Sequence, residues 1–290
     1  MFRLSICFIA VSCIIPITAF TQIGSQPVSY NIIIPNIEKS VSSPLSHQEQ
    51  FIAVDSYAKS APEFDGNLSR LVDYLIQPYK NNEVLKVRAI FAWMVYHLNY
   101  DQFKADNLKG KTRDGKPRIL NSGDTFKTRI GICGDFADLF VKMAGKANLK
   151  AVRIDGVAGE KLTRQTAVEA KHAWNAVRID KKWYLLDVTW AMAGDYTVFA
   201  DLTQINEYKK IVRERRQHTS KLPIPENRQI NNKWFLTDPH TMIETHFPNN
   251  VKWQLLEKPI HSRKVFEQNE TFIESTSKFN TQPIKMIMPK

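Results

Sequence analysis

Apolar residues recur at intervals of three and four along Val84, Val87, Ile90, Phe91, Met94, Val95 and Leu98. That period predicts a helix from Glu83, capped by Asn81 or Asn82, with a face wide enough that it must be buried. Leu68, Leu71, Val72 and Leu75 predict a shorter amphipathic helix ending before Pro78. Ser46 and Glu49 have capping-box spacing and open a helix that runs to about Lys59. Phe136, Leu139, Phe140 and Met143 mark another helical face directly after Gly131-Ile132-Cys133-Gly134. The period then changes to two. Ala151 to Val157 alternates as a strand, and His172 to Ile179 and Trp183 to Thr189 read as two more, joined by a hairpin turn at Asp180-Lys181-Lys182. A basic helix is expected over 203–218. Residues 22–45, 102–124 and 158–171 carry no period and read as an extended arm, a long basic loop and a polar loop. Residues 219–290 are less regular but contain Trp234 and Trp253.

The chain has 290 residues, 43% of them hydrophobic and 24% charged, enough to bury a core in one large domain or two small ones. There is no repeat and no low-complexity tract. The net charge of +11 would suit an anionic surface or a cell-envelope polymer. No nucleic-acid motif accompanies it, so no specific nucleic acid is expected as partner. Met1-Phe2-Arg3 followed by an uncharged, mostly apolar run from Leu4 to Phe20 predicts a secretory signal peptide over residues 1–21. A membrane anchor ranks second, because the run is short and interrupted by Pro16, and a lipoprotein signal through Cys13 ranks below that. The expected location is therefore secreted or periplasmic. The expected organisation is an N-terminal arm and helix over 22–60, a core over 61–202, and a C-terminal extension over 203–290 packed on that core.

Cys7 and Cys13 fall in the leader, so the exported chain would hold one cysteine, Cys133, and no internal disulfide. A lone thiol in such a protein is open to oxidation, so it is either buried and inert or needed for chemistry. A thiol at the first turn of a helix faces unpaired N–H groups and the positive end of the helix dipole, which favour the nucleophilic thiolate. Cysteine catalysis also needs a base and a group to orient that base. On the expected hairpin, His172 and Asp187 lie about equally far from the turn and can meet. An aspartate in an apolar strand needs such a partner if buried. Cys133, His172 and Asp187 are the candidate catalytic residues. No metal and no cofactor are expected. His97 reads as a packing or surface residue, and His240 and His246 with Asp238 as structural.

The segments Gly131-Ile132-Cys133-Gly134-Asp135-Phe136-Ala137-Asp138-Leu139-Phe140, Lys171-His172-Ala173-Trp174-Asn175 and Trp183-Tyr184-Leu185-Leu186-Asp187-Val188-Thr189-Trp190 resemble the three ordered motifs of the transglutaminase-like superfamily. The preceding helix with Trp93, closing in Asn99-Tyr100-Asp101, resembles that family's lead-in. Trp234-Phe235-Leu236-Thr237-Asp238-Pro239, Thr245-His246-Phe247-Pro248 and Trp253-Gln254-Leu255-Leu256 resemble the extension of its kyphoscoliosis-peptidase and cytokinesis-protein branch. The resemblance implies an α+β, papain-like transglutaminase core: a helical lobe and nucleophile helix packed on an antiparallel sheet, plus the extension. It implies acyl transfer on protein or peptide amides through a thioester. Cys133 would attack, His172 would move the proton and Asp187 would orient His172. The backbone N–H of Cys133 would stabilise the oxyanion. Trp93 is a candidate second donor, although a core aromatic on a helix face is the preferred reading. The acceptor, amine for a transglutaminase or water for a peptidase or amidase, is left open. The alternative from another class is a non-catalytic protein-binding module of the same fold.

Overall fold

A computed structural model describes residues 47–64, 66–107, 124–159, 171–217 and 224–261, all within a unit that begins at Leu45. The expected leader, the arm over 22–45, the last residues 262–290 and most of the 102–124 and 158–171 stretches lie outside the described residues. Among the described residues no helix is long and apolar enough to cross a membrane.

Two helices, α1 (His47–Lys59) and α2 (Leu68–Ile76), lie against α3 (Glu83–His97). Asn82 rather than Asn81 caps α3, accepting from the Leu85 N–H at 3.0 Å. Eleven of the 15 residues of α3 are buried, on every side of the helix, so it is the axis of the core rather than a surface helix. Even one of its two cations is internal. Arg88 gives a two-pronged pair to Asp55 of α1 at 2.7 and 2.6 Å and reaches Asn232 at 2.7 Å. Its guanidinium lies over the rings of Phe51 and Phe235.

Beyond α3 the chain forms β1 (Asn99–Asp101) and α4 (Gln102–Asn107). The loop expected from residue 102 is therefore helical over its first six residues. The Asp101 carboxylate accepts from the Lys104 N–H at 2.9 Å and so caps that turn, a local bond that leaves no apolar period to read. After α5 (Thr125–Thr128) and β2 (Ile130–Gly131) comes α6 (Cys133–Lys146). It lies across a four-stranded antiparallel sheet ordered β5-β4-β3-β9, made of β3 (Lys150–Ala158), β4 (Lys171–Ile179), β5 (Lys182–Leu186) and β9 (His246–Pro248). β4 and β5 join through a two-residue turn in which Asp180 and Lys181 both have positive φ, the geometry a tight hairpin requires.

The strand expected over Trp183 to Thr189 ends at Leu186. Asp187 instead caps the single turn α7 (Val188–Ala191), accepting from the Trp190 N–H at 3.0 Å. The cap draws the chain out of the ladder three residues early. Short strands β6 (Met192–Ala193) and β7 (Thr197–Val198) follow, then α8 (Ile205–Gln217), the expected basic helix. Its Tyr208 hydroxyl donates to Asp101 at 2.7 Å. Beyond it, β8 (Gln229–Ile230), α9 (Pro239–Ile243) and β9 pack back on the molecule. Arg228 donates to the carbonyls of Val95 and Leu98 and to Asn99, closing the C-terminal end of α3. β9 is sheet partner to β3.

Candidate active site

Cys133 is the first residue of α6, half-exposed. Helical geometry leaves the N–H groups of its first turn without intrahelical acceptors. The Asp135 carboxylate bends back to accept from the Ile132 N–H at 2.9 Å and pairs with Lys104 at 2.6 Å, which fixes the turn on which the thiol stands. Gly131 precedes it because a Cβ there would come within 2.9 Å of Asp135 and 3.1 Å of Phe136.

His172 is the second residue of β4. Carrying the β4–β5 register of Asn175 with Leu186 one step further sets Asp187 opposite Trp174. His172 and Trp174 share a face, so Asp187 and His172 are diagonal neighbours. The contact follows: His172 Nε2 lies 2.5 Å from Asp187 Oδ2, with Asp187 fully buried. The Cys133 thiol stands near enough to the imidazole to raise its pKa. All three sequence candidates are therefore brought together.

The electrostatics follow from burial and pairing. Burial alone would lower the His172 pKa, but the charge and hydrogen bond of Asp187, and then the bond and charge of Cys133, outweigh it and raise it to about 10. Burial would raise that of Asp187, but His172 and then His246 hold it well below the usual carboxylate range. The pair is an imidazolium against a carboxylate.

His246 belongs to this cluster, and sequence reasoning missed it by grouping it with Asp238 and His240. Asp238 instead caps α9, accepting from the His240 and Thr241 N–H groups, and His240 is exposed. His246 Nε2 lies 3.0 Å from Asp187 Oδ2. No local pattern ties it to Asp187, because what brings it there is the pairing of β9 with a strand some ninety residues earlier. The ligand atoms of His172, Asp187 and His246 lie within 4.8 Å of one another, close enough for a metal ion. Each is already engaged in a hydrogen bond to another member of the group, so the set is satisfied as protonated histidine nitrogens around one carboxylate.

Trp93 is a core residue. It is 1% exposed, stacks on His97 at 5.2 Å and lies under the Arg129 guanidinium. His97 is likewise a packing residue, with Nε2 3.2 Å from the Ala58 carbonyl. Beside His172 a cleft of about 550 Å³ opens, walled by Tyr100, Gln102, Trp190, Tyr196, Lys233 and Trp234 among others.

A family model described as a transglutaminase-like domain matches residues 67–216. Kyphoscoliosis peptidase of Homo sapiens is 31% identical over 235 residues, covering 80% of this chain and 30% of that protein. Hillarin of Drosophila melanogaster is 26% identical over 262 residues, covering 87% of this chain and 29% of that protein. The chain thus spans less than a third of the length of these relatives. The crystal structure of a TGase aligns with a TM-score of 0.33 at 18% identity, over 61% of this chain and 40% of that one.

Proposed function

We propose, from the premise that this chain belongs to the transglutaminase-like domain family, that it is a cysteine-dependent acyl transferase or hydrolase acting on protein or peptide amides. The observation that carries the reading is the His172 ring, bonded through Nε2 to a buried carboxylate, with a thiol at a helix N-terminus near enough to raise its pKa. That is the arrangement a thiolate–imidazolium pair requires.

In the proposed reaction the Cys133 thiolate attacks the amide carbon. A C–S bond forms and the carbonyl π pair moves to oxygen. The Cys133 N–H, free of an intrahelical acceptor, supports that oxyanion. Tyr100 and Gln102 on the cleft wall are the side-chain donors proposed to assist it. Trp93, enclosed in the core, is not proposed for that role. The pair returns from oxygen, the C–N bond breaks, and His172 delivers its proton to the leaving amine or ammonia. An amine or water then gives a proton to His172 and attacks the thioester, and the thiolate leaves. Asp187 keeps the imidazole oriented throughout and stabilises it whenever it carries the proton.

The test is incubation of the purified chain with a mixed protein lysate and a tagged primary amine, read by mass spectrometry. Amine incorporation assigns a transglutaminase, and deamidation or cleavage assigns a hydrolase. Each must vanish in Cys133→Ala. None of the three products, or products that persist in that variant, overturns the reading and leaves a binding module of the same fold.

A further inference from the structure

We propose that His246 is a positioning residue of this site: by donating to the same Asp187 oxygen that His172 uses, it fixes the carboxylate and through it the imidazole, so that the C-terminal segment is part of the catalytic apparatus. The inference rests on the reading of Cys133, His172 and Asp187 given above. It concerns a residue outside the segment, 67–216, that the family model matches.

Asp187 is gripped from several directions. Oδ2 takes His172 Nε2 at 2.5 Å and His246 Nε2 at 3.0 Å, and Oδ1 takes the Trp190 N–H at 3.0 Å. Its own backbone N–H donates to the Trp234 carbonyl at 3.0 Å. Two of these four anchors, His246 and Trp234, come from the C-terminal segment. A carboxylate so held cannot turn about its Cβ–Cγ bond without losing a charge-assisted hydrogen bond.

The protons can be placed. Asp187 is ionised and has no hydrogen to give, so both Nε2 atoms donate to it. Burial, outweighing the pull of Asp187, lowers the His246 pKa and keeps that ring neutral, so Nδ1 has a bare lone pair. The Thr245 hydroxyl, 2.8 Å away, donates to it. Thr245 therefore sets the tautomer of His246. The groups facing His246 agree with this assignment. They are the rings of Trp174, Trp190 and Trp234 at 4.5–5.1 Å, the His172 ring at 5.4 Å, the Asp187 carboxylate, and more remotely the Lys233 ammonium. Positive charge on His172 and Lys233 opposes a second charge on His246.

Packing alone does not account for the residue. The side chain is fully buried in a cage of three tryptophans, where an apolar ring would fill the same space without a desolvation cost. What a histidine adds there is one N–H directed at the carboxylate.

Three measurements decide the matter on the full chain. In the wild type, ¹⁵N shifts of labelled histidine should show His246 neutral, with its proton on Nε2, at neutral pH. A charged ring, or the proton on Nδ1, overturns the proposal without any variant. In His246→Phe, which keeps an aromatic ring but removes the N–H donor, the His172 titration should move down and kcat should fall by about 10- to 100-fold with little change in KM. His246→Gln, which keeps an N–H donor, should recover most of both. An unmoved His172 titration in the folded Phe variant, or a Gln variant no better than Phe, overturns it. If the wild-type thiol proves inactive on amides, the catalytic reading fails. The histidine tautomer and the His172 titration still report whether His246 holds Asp187.

Discussion

The side-chain amide of Asn175 donates to the Ala137 carbonyl at 3.0 Å and to the Val152 carbonyl at 3.1 Å. Asn175 stands three residues after His172 on β4, and Ala137 lies one turn into the helix that Cys133 opens. One buried side chain thus sets the spacing between the thiol's helix and the imidazole's strand. Asn175→Ala is expected to cost about 1–3 kcal/mol and to lower Tm by several degrees. It is also expected to slow alkylation of Cys133 by iodoacetamide. A variant that melts lower but alkylates at the wild-type rate would show that the bond holds the fold and not the site.

Asp187→Asn separates charge from geometry. Asparagine can still accept from the Trp190 N–H, so the turn at α7 keeps its cap. It cannot hold an imidazolium. Activity is expected to fall on the order of 10³–10⁴-fold.

The same pair predicts a pH profile of stability. The His172 pKa is raised above 6.5 to about 10 by Asp187 and Cys133 acting against burial. The stability linked to it is therefore fully present below about pH 6.5 and lost as pH rises through about 10. The Asp187 pKa is lowered, so its share is present above about 3.8 and lost as pH falls below that. Tm measured from pH 3 to 10.5 should fall on both sides of a plateau between about 4 and 6.5. Asp187→Asn should abolish much of the alkaline fall, and an unchanged alkaline limb in that variant would refute the assignment.

Gly156 pairs with His172 on one side and Pro248 on the other. A Cβ at this position would collide with the Phe247 carbonyl oxygen and come within 2.6 Å of Trp174 and 2.8 Å of Pro248. Gly156→Ala should therefore displace β9, with a stability loss of about 1–3 kcal/mol in urea unfolding. It should also loosen the His246 contact, visible as a changed ¹⁵N shift for that ring.

Arg88 is 1% exposed at its side chain and rests on Asp55. Asp55→Ala strands a buried cation and should cost about 3–5 kcal/mol. Replacing both partners, as Asp55→Leu with Arg88→Met, should recover a large part of that loss, as read from urea midpoints at constant slope.

Much of this molecule is legible in its sequence, because the signals are local. The helical period of residues 83–98 fixes α3, and the glycines around Cys133 with the apolar face beyond them fix the nucleophile helix. The two apolar runs around Asp180-Lys181 fix the hairpin, and with it the meeting of His172 and Asp187. Each depends on residues near one another along the chain, where spacing dictates which side chains share a face. The parts that escaped are those decided by contact between distant segments or by a single cap. Asp101 turns an expected loop into α4, and Asp187 ends its strand early because a carboxylate accepting a backbone N–H starts a helical turn. Trp93 resembles a site residue by position, yet the packing of α3 encloses it. The Thr245-His246-Phe247-Pro248 stretch resembles a motif of the extension, but nothing in it points to Asp187. The place of His246 beside Asp187 exists only because β9 pairs with β3, and long-range strand pairing leaves no period in either strand that names its partner.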